Sequence, residues 1–260
     1  MDQLQAMLQN TLKRIKTNSS TKQSDVKYEC ALCKDTEWVL DPGTNSAMPC
    51  KCREVKQYRR ILEGSGISEA FLKKTFDNFR PTHRETANAK QMAMDYVRNF
   101  NDIRDTEKNS IAFLGQVGSG KTHLSVAIAN ELMKQGIGVR YMQYREDITR
   151  LKQVVNDEVS YAREINKYKN ATVLLIDDLY KSATYRTRSG YEVLNDADER
   201  AMFEIINYRY FKNAPMIISS ELSIERLLSL DEGLNSRIID RCEGHIIELH
   251  GMELNYRLAN

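Results

Sequence analysis

Hydrophobic and polar positions follow two regimes along this chain, with the change near residue 81. From Thr82 onward, short apolar runs separate longer stretches of helical period. Ile111–Leu114, Gly138–Met142, Thr172–Ile176, Pro215–Ser219 and His245–Leu249 predict buried strands. Between them, Glu85–Phe100, Arg145–Lys169, Ala197–Phe211, Ile224–Leu230 and Leu234–Arg241 predict helices. A further helix opens at Thr122, with apolar Leu124, Val126, Ala127, Ile128, Leu132 and Met133. Continuous apolar strands alternating with helices predict an α/β domain over residues 82–260, built on a parallel sheet with covered faces. No internal repeat is present.

Before residue 82 the pattern breaks into smaller pieces. Residues 1–24 comprise an amphipathic helix, with Leu4, Met7, Leu8, Leu12 and Ile15 on one face, and a polar linker Thr17–Ser24. The apolar stripe either packs internally or docks on a neighbouring module or partner. Residues 25–56 hold a cysteine-rich module. Residues 57–81 form a connector: a basic helix with Tyr58, Arg59, Ile61 and Leu62, ended by Gly64-Ser-Gly66, then a short helix from Ser68 leading to Thr75–Phe79 and Pro81.

Composition narrows the class only slightly. The 260 residues are 41% hydrophobic and 28% charged, ordinary for a globular chain large enough for one α/β core and a small extra module. A net charge of +2 exerts no global pull on nucleic acid, so such contacts must come from local basic patches. There is no apolar run of about 18 residues and no signal-peptide pattern, so no membrane contact is expected and the address is cytoplasmic.

The candidate chemistry begins where strand Ile111–Leu114 meets the next helix. Gly115, Gln116, Val117, Gly118, Ser119, Gly120, Lys121 and Thr122 form a complete phosphate-binding loop in that strand-to-helix context. Gly118 and Gly120 let backbone N–H groups face a phosphate, Lys121 can reach the β/γ-phosphates, and the Thr122 hydroxyl suits Mg²⁺. ATP or GTP is therefore the expected ligand. Strand Val173–Ile176 ends in two carboxylates: Asp177 is placed to hold Mg²⁺ through water, and Asp178 to polarise the attacking water. Asp178 is one methylene shorter than glutamate, which predicts slow turnover, a switch more than a motor.

Four of the five cysteines form two close pairs, Cys30-x-x-Cys33 and Cys50-x-Cys52. This spacing predicts a tetrahedral four-thiolate zinc site in a reducing compartment. With no open coordination position, the zinc is structural. Trp38 and Val39-Leu40, inside the zinc loop, form either an exposed apolar knuckle or the module's miniature core.

Two stretches are candidates for single-stranded DNA. Tyr144–Lys169 interleaves Tyr144, Tyr161 and Tyr168 with Arg145, Arg150, Lys152, Arg163, Lys167 and Lys169, suited either to stacking and phosphate contact or to a solvated helix face. Lys181–Arg188 is basic, lacks periodicity and directly follows the acid pair. No motif for base-specific readout is present.

The phosphate loop, Leu175-Ile-Asp-Asp-Leu179, Ile218-Ser-Ser-Glu221 and Ser236-Arg-Ile-Ile-Asp-Arg241 together resemble the AAA+ replicative-helicase loaders of the DnaC/DnaI type, within the IstB-like ATP-binding family. The resemblance runs from about Lys73 to the C-terminus, and the cysteine module is similar to that of phage and prophage members. It implies a P-loop AAA+ (RecA-like) core without a C-terminal lid, preceded by a small zinc module. By the same resemblance, Ser219 and Ser220 occupy the γ-phosphate-sensing stretch, with Glu221 where many members carry Asn. Arg237 matches the finger that reaches a neighbouring subunit's ATP site, with Arg241 as its companion. Arg257 is either a substitute cation or a solvated tail residue. The implied function is an ATPase, with ATP/ADP, Mg²⁺ and Zn²⁺, that self-assembles and delivers a hexameric replicative DNA helicase to single-stranded DNA. The competing expectations are a transposition helper ATPase and a zinc-stabilised nucleic-acid-binding adaptor without hydrolysis.

Overall fold

The computed structural model describes residues 28, 30–40, 43, 46–50, 52–190 and 192–258. The predicted N-terminal helix and linker lie outside them. The chain divides into two units after Val55.

The smaller unit contains one antiparallel hairpin, β1 (Trp38–Leu40) against β2 (Ala47–Pro49), with Trp38 paired to Pro49. The turn carrying Cys30 and Cys33 precedes it, and Cys50 and Cys52 follow. Trp38 is 46% and Leu40 66% exposed, with the Arg53 guanidinium 4.7 Å over the Trp38 ring. The knuckle alternative is the one that holds. Hairpin residues face water because the cysteines, not apolar packing, occupy the module's centre.

The larger unit is a three-layer α/β/α sandwich. After α1 (Cys52–Ser65), α2 (Glu69–Leu72) and α3 (Arg84–Ile103), its sheet strands are β3 (Ile111–Gly115), β4 (Val139–Gln143), β5 (Val173–Asp177), β8 (Met216–Ser219) and β9 (Ile246–Leu249). They run parallel in the spatial order β4-β5-β8-β3-β9. The helices between them are α4 (Lys121–Lys134), α5 (Tyr144–Gln153), α6 (Glu158–Lys169), α7 (Asp196–Phe211), α8 (Ile224–Leu230) and α9 (Glu232–Arg241).

Side-chain alternation along the strands assigns the two faces. Ile111, Phe113, Val173 and Leu175 join a core with Ala89, Tyr96 and Phe100 of α3 and Leu124 and Ile128 of α4. Ala112, Leu114, Leu174 and Ile176 point the other way, onto Ile148, Ile165, Met202, Ile205 and Ile238 of α5, α6, α7 and α9. Both faces are covered, so the central strands β3, β5 and β8 are buried throughout, while the edge strands β4 and β9 carry Arg140 and Glu248.

Three departures from the sequence reading matter. The stretch Arg145–Lys169 is two helices, because Asp157 caps α6 by accepting from the Ser160 N–H. Its Tyr144 and Tyr168 are buried and Tyr161 donates to Glu204, so these rings are core and not a base-stacking row. The basic stretch after the acid pair is a hairpin, β6 (Thr184–Arg186) antiparallel to β7 (Glu192–Leu194), too short to show a period. Finally, connector residues Ile67, Phe76 and Phe79 belong to the core that also holds Phe113 and Leu124.

Candidate functional site

The site lies at the C-terminal ends of β3, β5 and β8, where strand order reverses: β3 is flanked by β8 and β9, and the chain leaves it for the far edge at β4. Between β3 and α4 the phosphate loop requires two left-handed glycines, Gly118 at φ +74° and Gly120 at φ +92°. A Cβ at Gly118 would lie 2.0 Å from the Asn255 Oδ1, and one at Gly120 would lie 2.5 Å from the Phe79 ring. Only glycine fits either place. The Lys121 ammonium donates to the Gly115 carbonyl at 2.8 Å and the Gln116 carbonyl at 2.6 Å. Burial pulls it down to about 8, against the nearby Glu221 and Asp178 carboxylates that push the other way. A desolvated cation held by two weak acceptors is a ready partner for an anion. Ser119 is buried, its hydroxyl donating to the Gln116 carbonyl and bracing the turn.

Asp177 is the hub. Its Oδ1 accepts from the Thr122 hydroxyl at 2.8 Å and the Ser219 hydroxyl at 2.5 Å, and its Oδ2 from the Tyr141 hydroxyl at 3.1 Å. The Ser219 hydroxyl also accepts from the Asp178 N–H at 3.0 Å. Register explains the meeting: Tyr141 and Leu175 are Cα partners across β4 and β5, and Ile176 and Ile218 across β5 and β8. Burial pushes the Tyr141 hydroxyl far up, with Asp177 adding to it, so it stays a donor. Tyr141 was not foreseen; its only sequence signal is a polar-tipped aromatic in an apolar strand. The donor set Thr122–Asp177, one hydroxyl and one carboxylate beside the loop, suits Mg²⁺, which keeps much of its own water.

Loop, acid pair and connector surround a cavity of about 370 Å³ lined by Val117, Gly118, Gly120, Lys121, Thr122, Asp178, Lys181 and Glu221 on one side. Phe79, Arg80, His123, Tyr256 and Arg257 line the other. Phe79 stands edge-on to His123 at 5.2 Å and to Tyr256 at 6.1 Å. The Tyr256 N–H donates to the Gly118 carbonyl at 3.1 Å and its hydroxyl to the Arg80 carbonyl at 2.6 Å. Connector and C-terminal tail thus form an aromatic wall of the cavity, which no local pattern announces because its members are far apart in sequence. Arg257 is exposed and at the cavity, so the tail residue does face this site.

Other expected residues lie elsewhere. The Ser220 hydroxyl donates to the Leu179 carbonyl at 2.8 Å and is buried in the turn; Glu221, not Ser220, reaches the cavity. Arg241 is buried, its guanidinium donating to the Glu107 carbonyl at 2.8 Å and to the Tyr210 carbonyl and Asn213 side chain. Both of its terminal guanidinium nitrogens are engaged within the fold, and it does not line the cavity. Arg237, half-buried on α9, donates to Asn207 at 2.5 Å and stands 5.6 Å over the Phe203 ring and 6.0 Å over Phe211. It too is away from its own chain's cavity, and among the described residues it has no carboxylate partner.

In the smaller unit the four sulfurs of Cys30, Cys33, Cys50 and Cys52 lie within 4.8 Å of one another, with Cys30–Cys50 at 3.8 Å and Cys33–Cys52 at 3.3 Å. A tetrahedron of thiolates at a zinc–sulfur distance of about 2.3 Å has edges of about 3.8 Å, so the set fits zinc. Within the cluster the Cys33 N–H, the Cys33 side chain and the Leu32 N–H lower the Cys30 thiol to about 7, while the Cys33 sulfur and burial raise the Cys52 thiol.

A phosphate loop on a parallel sheet in this strand order, with its acid pair on a strand beyond the neighbouring one, defines an AAA+ protein of the P-loop class. A family model described as IstB-like ATP binding protein matches residues 50–260, and the chain belongs to that family. The phage-like element PBSX protein XkdC of Bacillus subtilis is 38% identical over 239 residues, 89% of this chain and 87% of its own length. The replicative helicase loader DnaC of Escherichia coli is 27% identical over 209 residues, 78% of this chain and 77% of its own. A crystal structure of the DnaC helicase loader aligns with a TM-score of 0.56 at 23% identity, covering 70% of this chain and 100% of that one, which establishes the shared fold.

Proposed function

We propose that this protein is an ATP-dependent loader that binds a hexameric replicative DNA helicase and delivers it to single-stranded DNA, with slow hydrolysis as the switch. The observation that carries the reading is one cavity lined by Lys121, Thr122 and Asp178, with Asp177 accepting from the Thr122 hydroxyl, in a family whose relatives include helicase loaders. In this reading Thr122 and Asp177 hold Mg²⁺, Asp178 polarises water, and Arg237 completes the site of a neighbouring copy. The four-thiolate zinc holds the N-terminal module in shape. Among the described residues no helix is long and apolar enough to cross a membrane.

Affinity capture from the native host tests the reading. Wild type with ATP is expected to recover a hexameric helicase, and Lys121→Ala, which loses the phosphate-facing charge, much less of it. Recovery of a transposase in its place would replace the loader with the transposition helper.

The exposed tip of the β6–β7 hairpin, with Tyr185, Arg186 and Arg188, is the surface best suited to single-stranded DNA. Replacing Tyr185 by Ala and both arginines by Gln is expected to weaken single-strand binding and flatten its log–log salt dependence by about 0.7 per lost phosphate contact. An unchanged slope in a fluorescence titration would move the contact elsewhere.

A further inference from the structure

Lys181 does not behave as one more cation of the DNA-facing hairpin. Its ammonium is 2.8 Å from the Asp178 Oδ2 and 2.8 Å from the Glu221 Oε1, and it lines the same cavity as Lys121 and Thr122. Burial pulls its pKa down, but the two carboxylates outweigh that and hold it above the ordinary lysine value, so the ammonium stays charged. Its backbone cannot travel. Tyr180 and Ala183 on either side are buried, the Tyr180 hydroxyl donates to Asn235 at 3.2 Å, and the Lys181 N–H donates to the Asp178 carbonyl at 3.0 Å. Asp178, Tyr180 and Ser182 all adopt left-handed φ, at +58°, +62° and +56°, a turn that sets Lys181 beside the acid three residues before it. Its side chain is part-exposed and lines the cavity.

The geometry points to Lys181 as a terminal-phosphate sensor that covers the water-polarising Asp178 while the cavity lacks a γ-phosphate and turns to that phosphate when a nucleoside triphosphate binds. The charges favour such a partner. Lys74, Arg80, Lys121, Lys181 and Arg257 line the cavity with the carboxylates Asp178 and Glu221, and even with Asp177 beside Thr122 counted the cations are in excess. Lys121 sits against the loop carbonyls, where the β-phosphate of either nucleotide passes. Lys181 lines the same cavity beside Asp178, the acid assigned to the attacking water, so in this proposal it meets the third phosphate. When its ammonium leaves for the phosphate, Asp178 loses its ion pair and is free to accept a proton from water. One residue then couples recognition of the third phosphate to release of the catalytic carboxylate.

This inference rests on the nucleotide reading of the cavity, and direct binding measurements separate the two. Titration with fluorescent ATP and ADP analogues, Mg²⁺ present, is expected to show wild type favouring ATP. Lys181→Met should lose about tenfold in ATP affinity while keeping its ADP affinity, which also reports that it is folded. Lys181→Arg should retain the ATP preference. If Lys121→Ala loses both nucleotides but Lys181→Met keeps the wild-type ratio, or weakens both equally, the sensor is overturned and the nucleotide site stands. Equal wild-type affinity for ATP and ADP overturns the sensor as well. If wild type binds neither nucleotide, the reading of the cavity falls and the sensor with it.

Discussion

Arg237→Ala is expected to bind ATP as wild type does and to hydrolyse it on the order of 10³-fold more slowly or worse, the scale at which arginine fingers act in related phosphoryl transfer. The cavity holds Lys121 and Lys181 from its own chain, while Arg237 lies on α9, outside that cavity and without a carboxylate partner among the described residues. Its guanidinium is positioned all the same, by Asn207 and by the Phe203, Tyr210 and Phe211 rings. An arginine oriented by aromatic faces and left unneutralised keeps its charge for an anion. Phe203 is 47% and Phe211 71% exposed, so the surface around it is apolar enough to be covered by another copy. The trans role has a specific signature. Arg237→Ala mixed with Lys121→Ala should recover phosphate release, because the second variant binds no ATP but still offers its arginine. Activity that stays at the sum of the separate variants, with assembly demonstrated by light scattering, would exclude the role.

Metal removal has the other large effect. Elemental analysis should find one zinc per chain, and chelation should unfold the segment around Cys30–Cys52 while Lys56–Asn260 stays folded. Structural zinc contributes about 10–16 kcal/mol in comparable peptides, far more than this module's own apolar contacts can supply. Trp38, Leu40, Met48 and Leu32 are exposed, and among the described hydrophobic residues of 30–50 only Cys33 and Cys50 are buried. The larger unit has its own two cores. Hydrogen exchange after chelation reads both units at once. Less than one zinc per chain in reduced, chelator-free protein would refute the site, and simultaneous loss of protection in the sheet would refute the independence of the larger unit.

The sequence by itself determined the motifs whose members are neighbours along the chain. The phosphate loop is eight consecutive residues between an apolar run and a helical period. The acid pair ends an apolar run, and the cysteine pairs are separated by one and two residues. Such spacing dictates local geometry directly, since side chains a few residues apart on one backbone have few ways to be arranged. The central sheet strands β3, β5 and β8 were legible for a related reason: burial on both faces demands apolar runs, and those show at a glance.

Only the tertiary structure decided who meets across the sheet. Tyr141 reaches Asp177 because β4 pairs with β5, and Ser219 does so because β8 lies on β5's other side. Glu221 rather than Ser220 faces the cavity because the turn after β8 consumes the Ser220 hydroxyl on the Leu179 carbonyl. Phe79 and Tyr256 close the site from opposite ends of the larger unit. Charge and aromaticity were visible in Lys181, Arg241, Tyr144 and Tyr168, but their availability was not. Burial and competing hydrogen bonds set it, and these follow from long-range packing, which periodicity and spacing do not encode.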